Sequence, residues 1–386
     1  MKKIIRRCLA VDLPKGKSAF LWGPRKTGKS YWIRHAFPDA TIIDLLKTDV
    51  FAEYASRPAL LRERFAGHPR LIVIDEVQMA PDLLNEVHGL IESHGQSFLL
   101  TGSSARKLRR SHANLLGGRA WRYEMRPLIF RETEEFDLEA VMVSGLIPPH
   151  FLSPDPVSEL RAYVGDYLKE EIAAEAQVRS IPSFAEFLRV SAVTNGELLN
   201  YTNVAREAGV SAKVVRSYFE ILEDTLLGFR LQPWRRAKSR RLIETEKFYW
   251  FDVGVANFLS RRNPKPGTPE FGKAFEHYIL MELLAWQSYR QPDRSLTFWR
   301  TASGFEVDFI IDDFWAAIEV KASARVHDGD LRALRALRSE RKTGQACVVC
   351  MERESRKTPD GIAILPWRHF LERLWAGDAL SVGPSR

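Results

Sequence analysis

A chain of 386 residues exceeds one ordinary domain, and two or three are expected. Its 45% apolar and 27% charged residues exclude a wholly disordered chain, and no apolar run reaches the ~18 residues that cross a bilayer. A formal charge of +8 points to an anionic partner, nucleic acid first, and three cysteines fit a reducing compartment better than a disulfide framework.

The basic start, "MKKIIRRCLAVDLPKGKSAF", holds no apolar stretch long enough for a signal peptide, so a cytoplasmic protein is expected. Proline-rich stretches at 144–156 and 260–270 predict three parts. The first, over 1–145, alternates short β-branched runs with helical segments, the pattern of a parallel α/β sheet.

Within it, "FLWGPRKTGKSYWIRHAF" has Gly23, four residues, then Gly28-Lys29-Ser30. Glycines let backbone N–H groups turn inward around phosphates, Lys29 suits the β- and γ-oxygens, and the Ser30 hydroxyl suits Mg²⁺. An apolar strand before and a helix after complete the context, so Gly23, Pro24, Arg25, Lys26, Thr27, Gly28, Lys29, Ser30 and Tyr31 are expected to bind ATP. "RLIVIDEVQ" ends a strand in Asp75, a partner for Mg²⁺, and Glu76, positioned to activate the attacking water. "SFLLTGSSARK" ends a third strand near Ser103, where a small hydroxyl could sense the γ-phosphate. "LLGGRAWRYEM" offers Arg119, either a catalytic arginine acting within the chain or on a neighbour in a homo-oligomer, or a structural or DNA-contacting side chain.

The middle part, over 157–259, reads as mostly helical. Two helical segments flank Gly209-Val210, and Ser211 suits the N-cap of the second. Helical spacing puts Val215, Tyr218, Phe219 and Leu222 on one face and Lys213, Arg216, Ser217 and Glu220 on the other. Two β-like runs follow, joined by Arg235, Arg236, Lys238, Arg240 and Arg241, a basic wing suited to phosphates. Such winged helices serve DNA binding or protein contact; the basic wing favours DNA, duplex or branched.

The last part, over 270–386, contains "GFEVDFIIDDFWAAIEVKAS". A two-residue turn at Asp312-Asp313 predicts a hairpin whose partner numbers sum to 625, with Glu306 opposite Glu319 and Asp308 opposite Ala317. Alternation then puts Asp308, Glu319 and Lys321 on one face and Val307, Phe309, Ile318 and Val320 on the other. Two carboxylates and a lysine suit a hard cation for phosphodiester hydrolysis, with Glu276 on the preceding helix as an additional ligand. The bland alternative is the polar face of an ordinary hairpin. Cys347 and Cys350, three apart in a strand, point to opposite faces and are expected to be plain buried thiols.

The ordered stretches "GPRKTGKS", "LIVIDEVQ", "LTGSSARKL", "LLGGRAWRYEMRPL", "KFYWFDVGVANFL", "FEHYILMELL", "FEVDFII" and "AIEVKAS" span nearly the whole chain. In this order they resemble a large group of prokaryotic ATP-binding proteins of the AAA superfamily. Members pair an N-terminal ATPase with a C-terminal domain of unknown function related to PD-(D/E)xK nucleases. The resemblance implies ATP binding and hydrolysis, a winged-helix segment and a restriction-endonuclease-like α/β domain, and little about cellular role. Asp308 with Glu319 and Lys321 matches the core of the nuclease pattern. The reading is an ATPase that binds and processes DNA; a nucleotide-controlled switch with an inert nuclease-like domain and an ATP-gated nuclease are the alternatives.

Overall fold

Unbroken apolar runs make the strands of the N-terminal unit: β1 (Ser18–Trp22), β2 (Thr41–Asp44), β3 (Ile72–Asp75), β4 (Phe98–Gly102) and β5 (Ala120–Glu124). Every residue of β1, β3 and β4 is buried, because a parallel sheet is covered on both faces and gains nothing from alternation. All pairings are parallel, in the order β2-β3-β4-β1-β5. The carboxyl ends of β1, β4 and β3 therefore lie side by side, the edge where open α/β sheets bind ligands.

The computed structural model describes residues 5–14, 16–104, 116–172, 178, 180–235 and 242–378. The chain divides into two units: Met1–Leu128 with Glu220–Leu227, and Ile129–Phe219 with Gly228–Arg386. The second unit joins the middle and C-terminal parts in one eight-stranded sheet, ordered β12-β13-β11-β10-β9-β8-β6-β7. These strands are β6 (Gly228–Pro233), β7 (Lys247–Trp250), β8 (Leu296–Arg300), β9 (Glu306–Ile311), β10 (Ala316–Lys321), β11 (Gln345–Cys350), β12 (Arg356–Lys357) and β13 (Ala363–Pro366). The expected wing is thus not free-standing: its strands β6 and β7 pair antiparallel, and β6 continues the sheet through β8. Of the wing's basic residues, Arg236, Lys238, Arg240 and Arg241 lie outside the described residues. The stretch 144–156, expected as a break between parts, lies within the second unit, with the Leu146 N–H donating to buried Asp252 at 2.7 Å.

The carboxylate hairpin has a different register from the expected one. Ile311 pairs with Ala316, Ile310 with Ala317 and Phe309 with Ile318, so partner numbers sum to 627. The connection is a four-residue loop centred one residue later, with Asp312 and Phe314 both left-handed at φ 54° and 67°. A slip of two preserves the side-chain faces. It brings Asp308, rather than Glu306, towards Glu319. On the other edge of β9, Thr297 pairs with Ile310 but Trp299 with Val307, so Asp308 and Phe309 oppose Phe298 alone. This bulge turns Val307 into the core with Ile310, Ala317, Leu334 and Leu337, a departure from simple alternation. Cys347 and Cys350 are buried and free, and burial pushes their thiols up to about 12 and about 11, which keeps them protonated.

Beneath the same sheet, Glu282 is buried on the helix Pro269–Arg290 and accepts from Phe130 N at 2.7 Å and Trp375 Nε1 at 2.8 Å. Burial raises its carboxyl from 4.5 to about 7. A raised acid stabilises the fold below its ordinary value and loses that contribution as pH climbs through the folded value. His277, lowered to about 4 by burial, works in the opposite sense over part of this range, so the test is a difference. Glu282→Gln should remove about 3 kcal/mol of pH dependence between pH 4.5 and 7, read as a flatter curve of unfolding midpoint against pH. Parallel curves for mutant and wild type would contradict it.

Candidate functional site

The phosphate loop leaves β1 at Gly23, where an added Cβ would lie 2.5 Å from the Met125 carbonyl. It closes at Gly28, whose φ of 91° forms the left-handed N-cap of the helix Lys29–Ala36. Arg7 braces the loop by donating to Thr27 O at 2.7 Å and Pro127 O at 3.1 Å. Lys29 is buried, and its Nζ donates to the Gly23 and Pro24 carbonyls at 2.6 and 3.2 Å. Burial lowers its ammonium, with Glu76 and Asp75 pulling the other way. Pro24 and Thr27 are buried, Arg25 and Gly28 half-buried and Lys26 exposed; Tyr31 is 45% exposed and packs on His35.

Across the sheet edge, Ser30 Oγ donates to Asp75 Oδ2 at 2.6 Å, and Thr101 Oγ1 donates to the other oxygen. Glu76 turns the chain at φ 59°, an uncommon conformation for a non-glycine residue. Its carboxylate accepts from the Gln78 amide and from Ser103 Oγ at 3.3 Å. Lys29, Ser30, Asp75, Glu76 and Ser103 therefore share one site, with hydroxyl and carboxylate oxygens suited to a hard cation. Arg119 is not among them. It precedes β5 at the end paired with Ser18, five residues or ~17 Å along the strand from the phosphate loop, and it pairs with Glu92.

In the second unit, Gly209 (φ 64°) ends the helix Tyr201–Ala208, and Ser211 Oγ accepts from Val214 N at 3.3 Å as the N-cap of the next. Val215, Tyr218 and Phe219 are buried and Lys213, Arg216 and Ser217 exposed, as the spacing predicts; Glu220 and Leu222, exposed and buried in turn, continue the helix within the first unit. Arg216 lies over the Tyr201 ring at 4.2 Å.

The carboxylate cleft, of about 660 Å³, is lined by Glu306, Asp308, Glu319, Lys321, Asp330 and Arg332, among others. Where β9 and β10 part, Asp308 Oδ2 accepts from Val320 N at 2.8 Å. Lys321 Nζ reaches Glu319 Oε1 at 2.6 Å, while the buried Glu319 Oε2 has no hydrogen-bond partner among the described residues. Burial, then the charges of Glu319 and Glu276, push Asp308 well up. Burial raises Glu319 to about 7 against the pull of Lys321. Lys321 is raised as well, its carboxylate neighbours outweighing its burial. Two crowded carboxylates with an orphaned oxygen fit one hard cation. Glu276 does not join them: it is held by Lys247 at 3.4 Å and by the Tyr249 hydroxyl, and lines a smaller cleft of about 390 Å³. Among the described residues, no group of three or more His, Cys, Asp or Glu is arranged to hold a metal ion.

Residues 15–134 match a family model described as an AAA domain. Residues 135–266 and 271–370 match two domains of unknown function, DUF8612 and DUF4143. The uncharacterized proteins Rv2008c of Mycobacterium tuberculosis and Mb2031c of Mycobacterium bovis are each 25% identical over 311 residues, covering 78% of this chain and 68% of each relative. The solved structure of the Aeropyrum pernix ORC1 protein in complex with DNA is 13% identical, covering 64% of this chain and 86% of its own, with a TM-score of 0.26, a likeness too low to carry an argument. Among the described residues, no helix is long and apolar enough to cross a membrane.

In the N-terminal unit, spacing marks Thr101 only as the polar end of a strand, without its hold on Asp75, and does not mark Gln78, which fixes Glu76. Their signal was present in "DEVQ" and "LLTGSS", where polar residues end wholly apolar strands. Lys247 and Tyr249 were missed in the second unit because "KFYWFD" reads as an ordinary buried strand.

Proposed function

We propose that the chain is an ATP-hydrolysing protein that binds and processes or remodels DNA, ATP turnover driving the conformational change. The observation that carries this reading is the convergence of Lys29, Ser30, Asp75, Glu76 and Ser103 on adjacent strand ends. Lys29 would leave the loop carbonyls for the β- and γ-phosphates, where the anion favours its charged form. Ser30 and Asp75 would open their mutual hydrogen bond to hold Mg²⁺, which neutralises charge on the transferred phosphoryl group. Glu76, released by Gln78, would orient and accept a proton from the attacking water. Arg119, remote from the loop of its own chain, would serve a neighbour's site in a homo-oligomer.

The exposed Lys213 and Arg216 and the positive net charge support contact with DNA. Raising salt from 50 to 200 mM should weaken DNA binding at least about tenfold, and Lys213→Glu should weaken it without changing sequence preference. Fluorescence anisotropy on duplex, single-stranded and junction DNA checks this; no binding to any of them at low salt would remove DNA from the reading.

A second reading, an ATP-gated metal-dependent nuclease, is favoured by the Asp308, Glu319 and Lys321 cleft. Asp308 and Glu319 would hold the cation that activates water, and Lys321 would orient that water or the phosphate.

A further inference from the structure

Lys247 is the least expected group near the carboxylate cleft. It sits in β7, is 3% exposed at its side chain, and its Nζ lies over the Phe298 ring, 5.3 Å from the centroid. That ammonium touches Glu306 Oε1 at 2.5 Å, Glu276 Oε1 at 3.4 Å and the Tyr249 hydroxyl at 3.5 Å. Arg300 holds the other Glu306 oxygen at 2.7 Å. Glu306 lines both clefts, so the buried ammonium belongs to the same cluster of charges as Asp308 and Glu319.

Two-cation phosphodiester sites hold their ions ~3.5–4 Å apart and need carboxylate oxygens free to reach both. Here Glu306 is committed through both oxygens, to Lys247 and Arg300, and Glu276 is engaged through Oε1, by Lys247 and the Tyr249 hydroxyl. The unsatisfied oxygen is on Glu319, on the Asp308 side. Charge balance agrees. Fully ionised, Glu276, Glu306, Asp308 and Glu319 exceed Lys247, Arg300 and Lys321 by one negative charge. One divalent ion inverts that to one positive charge, whereas two would leave three positive charges crowded in a partly dry cleft.

We propose that Lys247 stands where a second cation would otherwise sit, so that the cleft takes one divalent ion, on Asp308 and Glu319, and not two. This rests on the reading of the cleft as a cation site. The test counts Mn²⁺ bound to the nucleotide-free full chain by electron paramagnetic resonance, assigning to the cleft those ions lost in Asp308→Asn. The wild type should hold one such ion. Lys247→Met, which takes the ammonium away from Glu306 Oε1 and Glu276 Oε1, should hold two, and Lys247→Arg one. Glu276→Gln needs no refolded core and should keep the single ion with affinity within about twofold, since Glu276 is not a ligand. Two ions in the wild type, one in a folded Lys247→Met, or loss of the ion in Glu276→Gln would each overturn the proposal while leaving the cation site standing. No ion in the wild type would overturn the cation site itself, and the proposal with it.

Discussion

Replacing Lys29 with alanine is expected to lower ATP turnover by about 10²–10³-fold, the loss seen when one preorganised charge-stabilising donor is removed. The side chain is buried and, among the described residues, its hydrogen bonds run to the loop carbonyls of Gly23 and Pro24. No other buried cation among the sequence-predicted loop residues can replace it at the phosphates: Lys26 is exposed and Arg25 half-buried. Lys29→Met keeps the aliphatic stem without the charge, and it should lose the same activity with an unchanged unfolding midpoint. Glu76→Gln, in contrast, should retain nucleotide binding and lose hydrolysis, because its carboxylate faces Gln78 and Ser103 rather than the loop. Phosphate release together with binding of a fluorescent nucleotide separates these outcomes. Undiminished turnover in pure Lys29→Ala would refute the assignment of the site.

The second large effect belongs to Asp308→Asn. Asn keeps an oxygen to accept from Val320 N while removing a carboxylate that burial and Glu319 already push towards its neutral form. The variant should therefore be at least as stable as the wild type without metal, since the loss of repulsion offsets the loss of a charge-assisted bond. With Mg²⁺ or Mn²⁺ at ~100 times its dissociation constant, the wild type should gain roughly 5 °C or more in unfolding midpoint, and Asp308→Asn should gain none. Any metal-dependent cleavage of DNA should vanish in the same variant. Equal metal-induced shifts in both proteins would remove Asp308 from the cation site.

The convergence proposed to bind nucleotide was legible because its residues are local. Gly23, Gly28, Lys29 and Ser30 lie within eight residues, and Asp75 and Glu76 end a strand that only a parallel sheet explains. The helix after Ser211 was legible for the same reason, since its cap and its two faces follow from spacing alone. The carboxylate hairpin was legible in its polar face but not in its pairing or in the side taken by Val307. A loop centred one residue past Asp312-Asp313 moved the register by two, and a bulge against Phe298 cannot be read from β9 alone. Glu276 looked like a ligand because its helix precedes the hairpin. Its capture by Lys247 and Tyr249 depends on β7 joining β6 and β8 in one sheet, a long-range pairing with no local mark. For Arg119 the sequence left open whether it acts within its own chain or on a neighbour, and the parallel register of β5 with β1 places it at the far end of the strand from its own loop.

The N-terminal unit is proposed to turn over ATP in response to DNA. Steady-state ATP hydrolysis by the full chain with Mg²⁺, measured without DNA and with duplex, single-stranded and four-way-junction DNA, tests it directly. At least one DNA form should raise turnover several-fold, and the stimulated rate should disappear in Lys29→Ala. A turnover identical with and without every DNA form, or one that persists in Lys29→Ala, would contradict it.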